Sequence, residues 1–263
     1  MSLVFFKLGG SAITDKTRET TPMPDVIRDA ARAIFSAREQ NPDLKILLGH
    51  GSGSFGHFTA KKFGYGEKGN WRAYAETGAS AARLNRLVTD IFLEENVPVV
   101  SLQPSASART RDGELIHLDA QNILTALEHN LVPLIYGDVA FDETREMAIV
   151  STDAQFAFLA PILKPSCIIY TTAVNGIYTA DPNTNPDAQL IREITPASFE
   201  EIRAHVGAAQ GFDTTGGMLD KLARSVALVE QFPALDIFVI AAQPDAMAAS
   251  LQASFRGGTY IHT

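Results

Sequence analysis

Cysteine is almost absent from this chain of 263 residues, in which Cys167 stands alone. One cysteine excludes an internal disulfide and argues against a thiolate zinc site. No histidine cluster has zinc spacing, so we predict no protein metal site. We interpret Cys167 as a small buried residue of an apolar strand. Such cysteine usage is typical of a reducing compartment, and we expect a cytoplasmic location.

Basic charge and long apolar runs are also scarce. The formal net charge is -8 at pH 7, whereas general nucleic-acid binding needs a basic face. No apolar run approaches the roughly 20 residues of a membrane-spanning helix. The first residues enter an apolar strand without the basic region of a signal peptide. We therefore expect neither a nucleic-acid nor a membrane partner.

Three common catalytic signatures are missing. The sequence contains no G-x-x-x-x-G-K-[S/T] segment and no protein-kinase motif set. It also lacks the G-x-S-x-G turn that carries the nucleophilic serine of α/β-hydrolases. These absences argue against a P-loop enzyme, a protein kinase and a Ser–His–Asp hydrolase.

Short apolar runs alternate with helical patterns along the chain, and several runs lack the polar alternation of a one-sided strand. This pattern predicts an α/β fold with a mostly parallel sheet and helices on both faces. The predicted strands are 3–8, 44–49, 97–102, 132–136, 167–172 and 237–241. The predicted helices are 24–40, 71–96, 120–130, 153–163, 196–206, 217–232 and 245–253.

Glycine-rich turns stand beside predicted helices at three places. Glycine lets a backbone approach a ligand closely, and a helix start offers unpaired N–H groups to an anion. Three such turns with lysines nearby suggest a site for several phosphates and hence phosphoryl transfer. The turns are KLGGS (7–11), GHGSGSFGH (49–57) and TTGGM (214–218), and the lysines are Lys7, Lys16 and Lys221.

The middle turn matches the G-x-G-x-x-G pattern of dinucleotide-binding turns at residues 51–56. Further glycines at 64, 66 and 69 make the next segment a poor crossover helix. We therefore interpret residues 51–57 as a wide anion-binding loop, with a plain flexible turn as the alternative. His57 closes this loop and is a candidate hydrogen-bond donor to a bound phosphate.

Two lysines and an aspartate are candidates for the charged part of the site. Lys7 lies in an otherwise apolar strand, where a lysine is costly unless it is paired or functional. Lys221 could reach an anion held by the preceding glycines, or it could be an ordinary exposed helix lysine. Asp153 could cap its helix, orient the lysines, or bind ribose or metal-bound water. The sequence leaves these three roles open.

The order and spacing of these segments resemble the amino acid kinase superfamily and, within it, the isopentenyl phosphate kinases, over nearly the whole chain. The S-x-I-T-x-K segment and His57 favour that subfamily, in which a histidine contacts the phosphate of the acceptor. The matching segments are KLGGSAITDK (7–16), GSGSFGH (51–57), YGDV (136–139), NGIY (175–178), Asp181-Pro182 and TGGM (215–218) with Lys221.

The resemblance implies an open αβα sandwich formed by one domain of residues 1–263, commonly as a homodimer. It implies ATP-dependent phosphorylation of isopentenyl phosphate to isopentenyl diphosphate, an isoprenoid precursor, with Mg²⁺. The half from 1 to about 150 would hold the acceptor, and the half from about 151 to 263 would hold Mg-ATP. No general base is needed, because a phosphate monoester is mostly dianionic at neutral pH.

The resemblance also implies residue roles, which we carry over position by position. Catalysis would use Lys7, Lys16, His57 and Lys221. The acceptor would contact Gly51, Ser52, Gly53, Gly56, His57, Thr152 and Asp153. ATP would contact Lys7, Gly9, Gly10, Ser11, Asn175, Gly176, Tyr178, Asp181, Gly216, Gly217 and Lys221.

Helical spacing adds a candidate pocket for the alkenyl tail of the acceptor. Tyr74, Thr77, Gly78 and Ala81 lie near one face of the helix predicted at 71–96. Small residues on this face would leave room for a short prenyl chain. Ordinary core packing explains the same pattern equally well.

The chain departs from the family pattern at Ala154, Ala173 and Asn175, where acidic residues are usual. These changes put nucleotide affinity or choice in question more than the acceptor. The alternatives are a kinase of the same superfamily for another small phosphorylated or phosphonate acceptor, as in fosfomycin-type kinases, a dinucleotide-dependent oxidoreductase, and a non-catalytic nucleotide-binding sensor.

Overall fold

A computed structural model describes residues 3–208, 217–252 and 255–263 of the chain. Its strands are β1 Leu3–Leu8, β2 Lys45–His50, β3 Val99–Ser101, β4 Arg109–Arg111, β5 Glu114–His117, β6 Val132–Tyr136, β7 Asp138–Asp142, β8 Glu146–Val150, β9 Cys167–Thr172, β10 Ile177–Tyr178, β11 Leu190–Ile191, β12 Glu193–Ile194, β13 Asp236–Ala241 and β14 Thr259–Ile261. Its helices are α1 Gly10–Ile13, α2 Pro24–Gln40, α3 Gly53–Phe63, α4 Trp71–Glu94, α5 Gln121–Glu128, α6 Thr152–Leu163, α7 Pro196–Ala208, α8 Gly217–Gln231 and α9 Pro244–Ser250, with a 3-10 turn at Pro104–Ala106.

The main sheet has eight strands in the order β12-β14-β13-β9-β1-β2-β6-β3. Neighbouring strands are parallel except for the antiparallel pair of β13 and β14. Strands from the first part of the chain lie on one side of β1, and strands from Cys167 onward lie on the other. The prediction of a mostly parallel α/β sheet is confirmed, and β1 and β9 lie at its centre.

Alternation along β1 separates two hydrophobic layers, one on each face of the sheet. Phe6 and its neighbours at alternate positions pack with residues of α2, α4 and α9. Phe5 packs with residues of α5, α6 and α8 on the other face. Helices therefore cover both faces, as expected for an open αβα sandwich. Lys7 follows the same alternation and projects towards the face that α6 and α8 cover.

A smaller sheet joins two hairpins in the order β5-β4-β7-β8. The sequence pattern indicates a short hairpin at 141–147, and the structure extends it along the whole of β7 and β8. Asp142 fixes its tip by accepting hydrogen bonds from the backbone of Gly113, Thr144 and Arg145. The strands β4, β5, β10, β11, β12 and β14 were not predicted, because two to four residues are too few for a clear period.

Helix α4 is the longest helix in the described part of the chain, with 24 residues. Asn70 caps its first turn by accepting a hydrogen bond from the N–H of Ala73. Its buried stripe packs on the sheet, and its other face is polar, so its pattern is that of a surface helix. Within the described ranges, no helix combines the length and the hydropathy that crossing a membrane would need.

Candidate active site

Two of the glycine turns lie side by side beyond the carboxyl ends of β1 and β2. These strands are parallel neighbours with Leu8 opposite His50, so the residues that follow them emerge together. A Cβ atom on Gly10 would lie 2.6 Å from the nitrogen of Gly53, and one on Gly51 would lie 2.8 Å from the nitrogen of Gly10. Only glycine permits this backbone-to-backbone approach. The two turns therefore form one continuous surface of main-chain atoms.

The interpretation of residues 51–57 as a wide loop is wrong, because α3 already begins at Gly53. The hydroxyl of Thr14 accepts a hydrogen bond from the N–H of Ser54 at 2.9 Å and donates to the carbonyl of Gly10 at 2.7 Å. A side chain on Gly56 would overlap Ser52. These glycines allow close packing within the first turns of α3. Of the later glycines, Gly64 caps the end of this helix in a left-handed conformation, and Gly66 and Gly69 follow it.

The start of α3 offers main-chain donors at the edge of this surface. The first N–H groups of a helix have no intrahelical acceptor, and they attract anions. Thr14 satisfies the N–H of Ser54, the carbonyl of Leu8 accepts from the N–H of Gly51, and the carbonyl of Ser52 accepts from that of Gly56. His57 is exposed one turn further along α3. Side chains on a helix lean towards its N-terminus, so His57 covers the same end as the glycine turns.

Lys16 lies on an exposed connection that returns to the sheet edge. The backbone of Thr14 bridges Pro22, and the N–H of Asp15 donates to the carbonyl of Thr21 at 2.9 Å. These contacts close the segment 14–22 into a short hairpin-like turn beside α1. Its base is therefore anchored next to Gly10 and Ser54, while the lysine itself remains solvent-accessible.

Lys7, Asp153 and Lys221 form a nearly buried charged cluster. Lys7 on β1 forms a hydrogen-bonded ion pair with the Oδ2 atom of Asp153. The Nζ atom of Lys221 on α8 lies 3.3 Å from the Oδ1 atom of the same carboxylate. Asp153 thus orients both lysines, and Ser151 instead caps α6 by accepting from the N–H of Ala154. The exposed-lysine alternative for Lys221 is excluded, since only 9% of it is accessible.

The electrostatics of this cluster favour an anionic ligand. Burial lowers the pKa of Lys7 to about 8, and the attraction of Asp153 opposes part of this effect. Burial alone would raise the pKa of Asp153, but Lys221 and Lys7 together hold that pKa well below its usual range. The carboxylate is therefore charged, and two ammonium groups outnumber it.

Helix α6 is anchored to the end of β2 through Thr152. Its hydroxyl donates to the carbonyl of His50 at 2.6 Å, and its methyl group packs against Gly49. A Cβ on Gly49 would overlap that methyl group. Thr152 therefore fixes the position of Asp153 relative to the middle glycine turn, although its buried hydroxyl is engaged with backbone.

Several residues that support the site were missed at the sequence level. The ring of Tyr170 lies below both lysine ammonium groups, and the carbonyl of Thr171 accepts from the N–H of Gly9 at 3.0 Å. His50 donates from Nδ1 to the carbonyl of Gly51, and its Nε2 accepts from the side-chain amide of Asn85. Burial lowers the pKa of His50 to about 4, so it is neutral at pH 7. Among the supporting residues, Thr14 alone could have been found from the sequence, because it belongs to the S-x-I-T-x-K segment.

The predicted tail-pocket residues lie between α4 and the β7–β8 hairpin. The ring of Tyr74 stacks on Phe141 with centroids 4.7 Å apart. A Cβ on Gly78 would lie 3.0 Å from the Cγ2 atom of Val139. Thr77 is buried, and its hydroxyl has no hydrogen-bond partner among the described residues. Helix and hairpin are thus in close contact here, and one polar atom on this face lacks a partner.

The predicted nucleotide residues lie beyond the carboxyl end of β9. The amide oxygen of Asn175 accepts from the N–H of Ala241 at 3.3 Å, and Gly176 packs against Thr259. Tyr178 belongs to β10, and Asp181 accepts from the N–H of Asn183 in the exposed turn that follows. Gly9, Gly10 and Ser11 lie close by at the end of β1. Gly217 opens α8, whereas Gly216 lies outside the described residues.

Cys167 is half-buried rather than fully buried in β9. Within the described ranges, no group of three or more histidine, cysteine, aspartate or glutamate side chains is arranged to hold a metal ion. Asp153 is the carboxylate of the charged cluster, and two lysines already engage it. The described side chains thus offer no dedicated metal cage.

Comparison with known proteins gives a consistent result. The model of the family described as Amino acid kinase family matches residues 2–240. The chain is 32% identical over 248 residues to the isopentenyl phosphate kinase of Methanothermobacter thermautotrophicus, covering 87% of this chain and 88% of the relative. It is similar to a solved isopentenyl phosphate kinase with a TM-score of 0.82 and 30% identity, over 98% of this chain and all of the other.

A second solved structure, of an isopentenyl phosphate kinase substrate complex, has a TM-score of 0.78 and 26% identity to this chain. The match covers 98% of this chain and 100% of the other. The similarity is therefore continuous through both halves of the main sheet and is not confined to a single motif.

The interlocked glycine turns generate a stability prediction at Gly53, whose φ is +50°. We expect Gly53→Ala to lower the free energy of unfolding by roughly 2 to 4 kcal/mol, because a left-handed alanine is strained and its Cβ would overlap Thr14. Gly69→Ala is the matched control, since Gly69 has a φ of +75° but no atom within 4 Å of an added Cβ. Equal losses in urea unfolding of the two variants would contradict the close approach.

Proposed function

Because the chain belongs to the amino acid kinase family and, within it, to the isopentenyl phosphate kinases, we propose that it transfers the γ-phosphoryl group of ATP to the phosphate of isopentenyl phosphate, giving isopentenyl diphosphate. The observation that carries this proposal is the Lys7–Asp153–Lys221 cluster beside two interlocked glycine turns. Ammonium groups and main-chain donors converge there on one edge of the sheet.

The chemistry needs positioning and charge more than proton transfer. Phosphoryl transfer depends chiefly on alignment and on stabilisation of charge on the transferring group. A phosphate monoester has a second pKa of about 6, so the acceptor is a dianion that can attack the γ-phosphorus in line without a general base. Lys7 and Lys221 offset the repulsion between acceptor and donor phosphates, and Asp153 holds the two lysines on one carboxylate.

We assign the acceptor phosphate to the start of α3. Gly51, Ser52, Gly53 and Gly56 would form the close-packed surface against which the phosphate lies, and His57 would add a side-chain donor from the exposed side. The tail would extend towards Tyr74, Thr77 and Gly78. The unpartnered Thr77 hydroxyl supports this assignment, whereas the close approach of Val139 to Gly78 also fits core packing. Lys16, on its exposed turn, would approach the transferring group from above.

We assign ATP to the other side of β1, where Gly9, Gly10, Ser11 and Gly217 would contact its phosphates. Asn175, Gly176, Tyr178 and Asp181 would contact the remainder of the nucleotide. This places the acceptor over the half from 1 to about 150 and ATP over the half from about 151 to 263. The division between the two halves would fall at the central pair of β1 and β9.

The metal would arrive with the nucleotide as Mg-ATP. Mg²⁺ usually keeps several waters and uses substrate phosphates in preference to an all-protein cage. The nucleotide phosphates would therefore supply its principal ligands. Ala154, Ala173 and Asn175 make the proposed nucleotide-binding side of the site less acidic than is usual in the family. The first assays should therefore compare ATP with other nucleoside triphosphates as phosphoryl donors.

We further propose a cytoplasmic homodimer as the working form. The family resemblance supports the dimer, and the single cysteine supports a reducing compartment. The proposal predicts twice the 28.4 kDa chain mass by light scattering.

The function is tested by ADP release with Mg-ATP and four acceptors: isopentenyl phosphate, dimethylallyl phosphate, geranyl phosphate and fosfomycin. We expect isopentenyl phosphate to be turned over far faster than the others. His57→Ala should lower kcat/KM for it by about tenfold to a hundredfold, as a lost hydrogen bond to a charged group implies. His129→Ala, an exposed histidine on α5's end, is the control. Turnover of fosfomycin alone, or none of any prenyl phosphate, would reject the proposed acceptor.

The tail assignment is tested at Gly78. We expect Gly78→Val to reduce kcat/KM for geranyl phosphate more than for isopentenyl phosphate, since the new side chain would press on Val139 and shorten the proposed tail pocket. Ala75→Val on the exposed face of α4 is the control for the cost of a β-branched residue in the helix. The same loss for short and long acceptors would assign Gly78 to core packing alone.

The charged cluster predicts how the rate depends on pH. The pKa of Lys7 is about 8, and the ammonium form is the one that attracts phosphate. We therefore expect kcat/KM for ATP to be full below that pKa and to fall as pH rises through it. Lys7→Arg should be slower but should lose this alkaline limb, since arginine stays protonated. A wild-type profile that is flat up to pH 10 would contradict the assignment.

A further inference from the structure

Tyr170 occupies a position that the proposed chemistry does not use. It lies directly opposite Lys7 in the pairing of β1 with β9, so both side chains project from the same face of the sheet. Its ring centroid is 5.8 Å from the Nζ atom of Lys7 and 4.9 Å from that of Lys221. The residue is only 1% exposed. One buried ring thus lies within cation–π distance of both lysines.

The net charge of the cluster indicates what this ring can stabilise. Lys7 and Lys221 contribute two positive charges, and Asp153 contributes one negative charge. Before any phosphate binds, one positive charge therefore has no ionic partner within the cluster. The face of an aromatic ring carries negative potential and attracts such a cation most strongly when water is excluded. Burial also raises the pKa of the Tyr170 phenol well above its ordinary value, so the ring remains neutral.

We infer that Tyr170 is a positioning residue whose ring holds the ammonium groups of Lys7 and Lys221 in the charged, convergent arrangement that phosphates require. The ring supplies this attraction without adding a negative formal charge. Its hydroxyl is not needed for the effect, because the ring face provides the potential. The kinetic part of the test rests on the proposed kinase function, whereas the titration below does not.

The titratable groups near the cluster are either paired with other residues or neutral at pH 7, apart from Asp153 itself. Asp153 on α6 is the nearest anion. On α8, Arg224 forms ion pairs with Asp220 and Glu114. On β2, His50 is neutral at pH 7 because burial lowers its pKa to about 4. Among the described residues, the titratable groups that interact with Lys7, Lys221 or Tyr170 are Asp153, His50, Arg224 and the lysines themselves.

The experiment compares Tyr170→Phe, which keeps the ring, with Tyr170→Leu, which removes it. Phe156→Leu is the matched control: Phe156 is fully buried in the same layer, with its centroid 6.3 Å from that of Tyr170. Two measurements are made on the full chain. One is the ¹³C NMR titration of lysine side chains in the free protein, with Lys7 assigned through Lys7→Arg. The other is the pH profile of kcat/KM for ATP.

We expect Tyr170→Leu to move both the Lys7 titration and the alkaline limb to lower pH by about one unit, the shift that a desolvated cation–π contact implies. Tyr170→Phe should leave both near the wild-type position. Phe156→Leu should lower thermal stability without moving either. If Tyr170→Leu titrates like the wild type, or Tyr170→Phe shifts as far as Tyr170→Leu, the ring has no such role.

Two further results keep the test decisive. If Tyr170→Leu does not fold, phenylalanines with increasing ring fluorination at position 170 preserve shape while weakening the negative potential of the face. The Lys7 titration should then move to lower pH in steps, and a constant titration would overturn the inference. If the wild type has no kinase activity, the proposed function fails, while the NMR titration still decides the role of Tyr170.

Discussion

The shared carboxylate of Asp153 is the interaction on which the rest of the site depends. It joins β1 through Lys7, α6 through its own backbone and α8 through Lys221. Removing one partner from a buried ionic cluster is strongly unfavourable, because the remaining charge stays without compensation. Three elements that are far apart in sequence are therefore held at one point of the sheet. The alternation along β1 makes this possible, since it directs Lys7 to the face of α6 and α8.

The glycine turns add a second constraint that acts at the same edge. Their main chains are in contact, so the end of β1 cannot move without moving the start of α3. Thr152 links the end of β2 to α6, and Gly9 is linked to β9 through Thr171. The lysine cluster and the main-chain donors are consequently linked through direct contacts. Such preorganisation is what electrostatic stabilisation of a transferring phosphoryl group requires.

Sequence patterns predict the central sheet well, because long apolar runs and helical periods are strong signals. They also single out Lys7, since an unpaired lysine in an apolar strand is costly. They fail where the decisive contact is distant in sequence. The packing of β1, β9, α6 and α8 against one another decides that Lys221 is buried. It also decides that Asp153 pairs with both lysines and that the ring of Tyr170 lies beside them. The start of α3 was missed for a related reason: its glycines serve tight packing, which composition alone presents as a loop.

The single carboxylate explains why an aromatic ring is suited to this place. A second acid near Asp153 would satisfy both lysines fully, but it would also cancel the positive charge that attracts phosphates. The chain has Ala154 at the next position, and the cluster keeps one excess positive charge. A ring face attracts ammonium groups without carrying net charge. In its proposed role, Tyr170 would stabilise the lysines before substrate binds and leave their charge available to the transferring group, which neither a carboxylate nor an aliphatic residue would do.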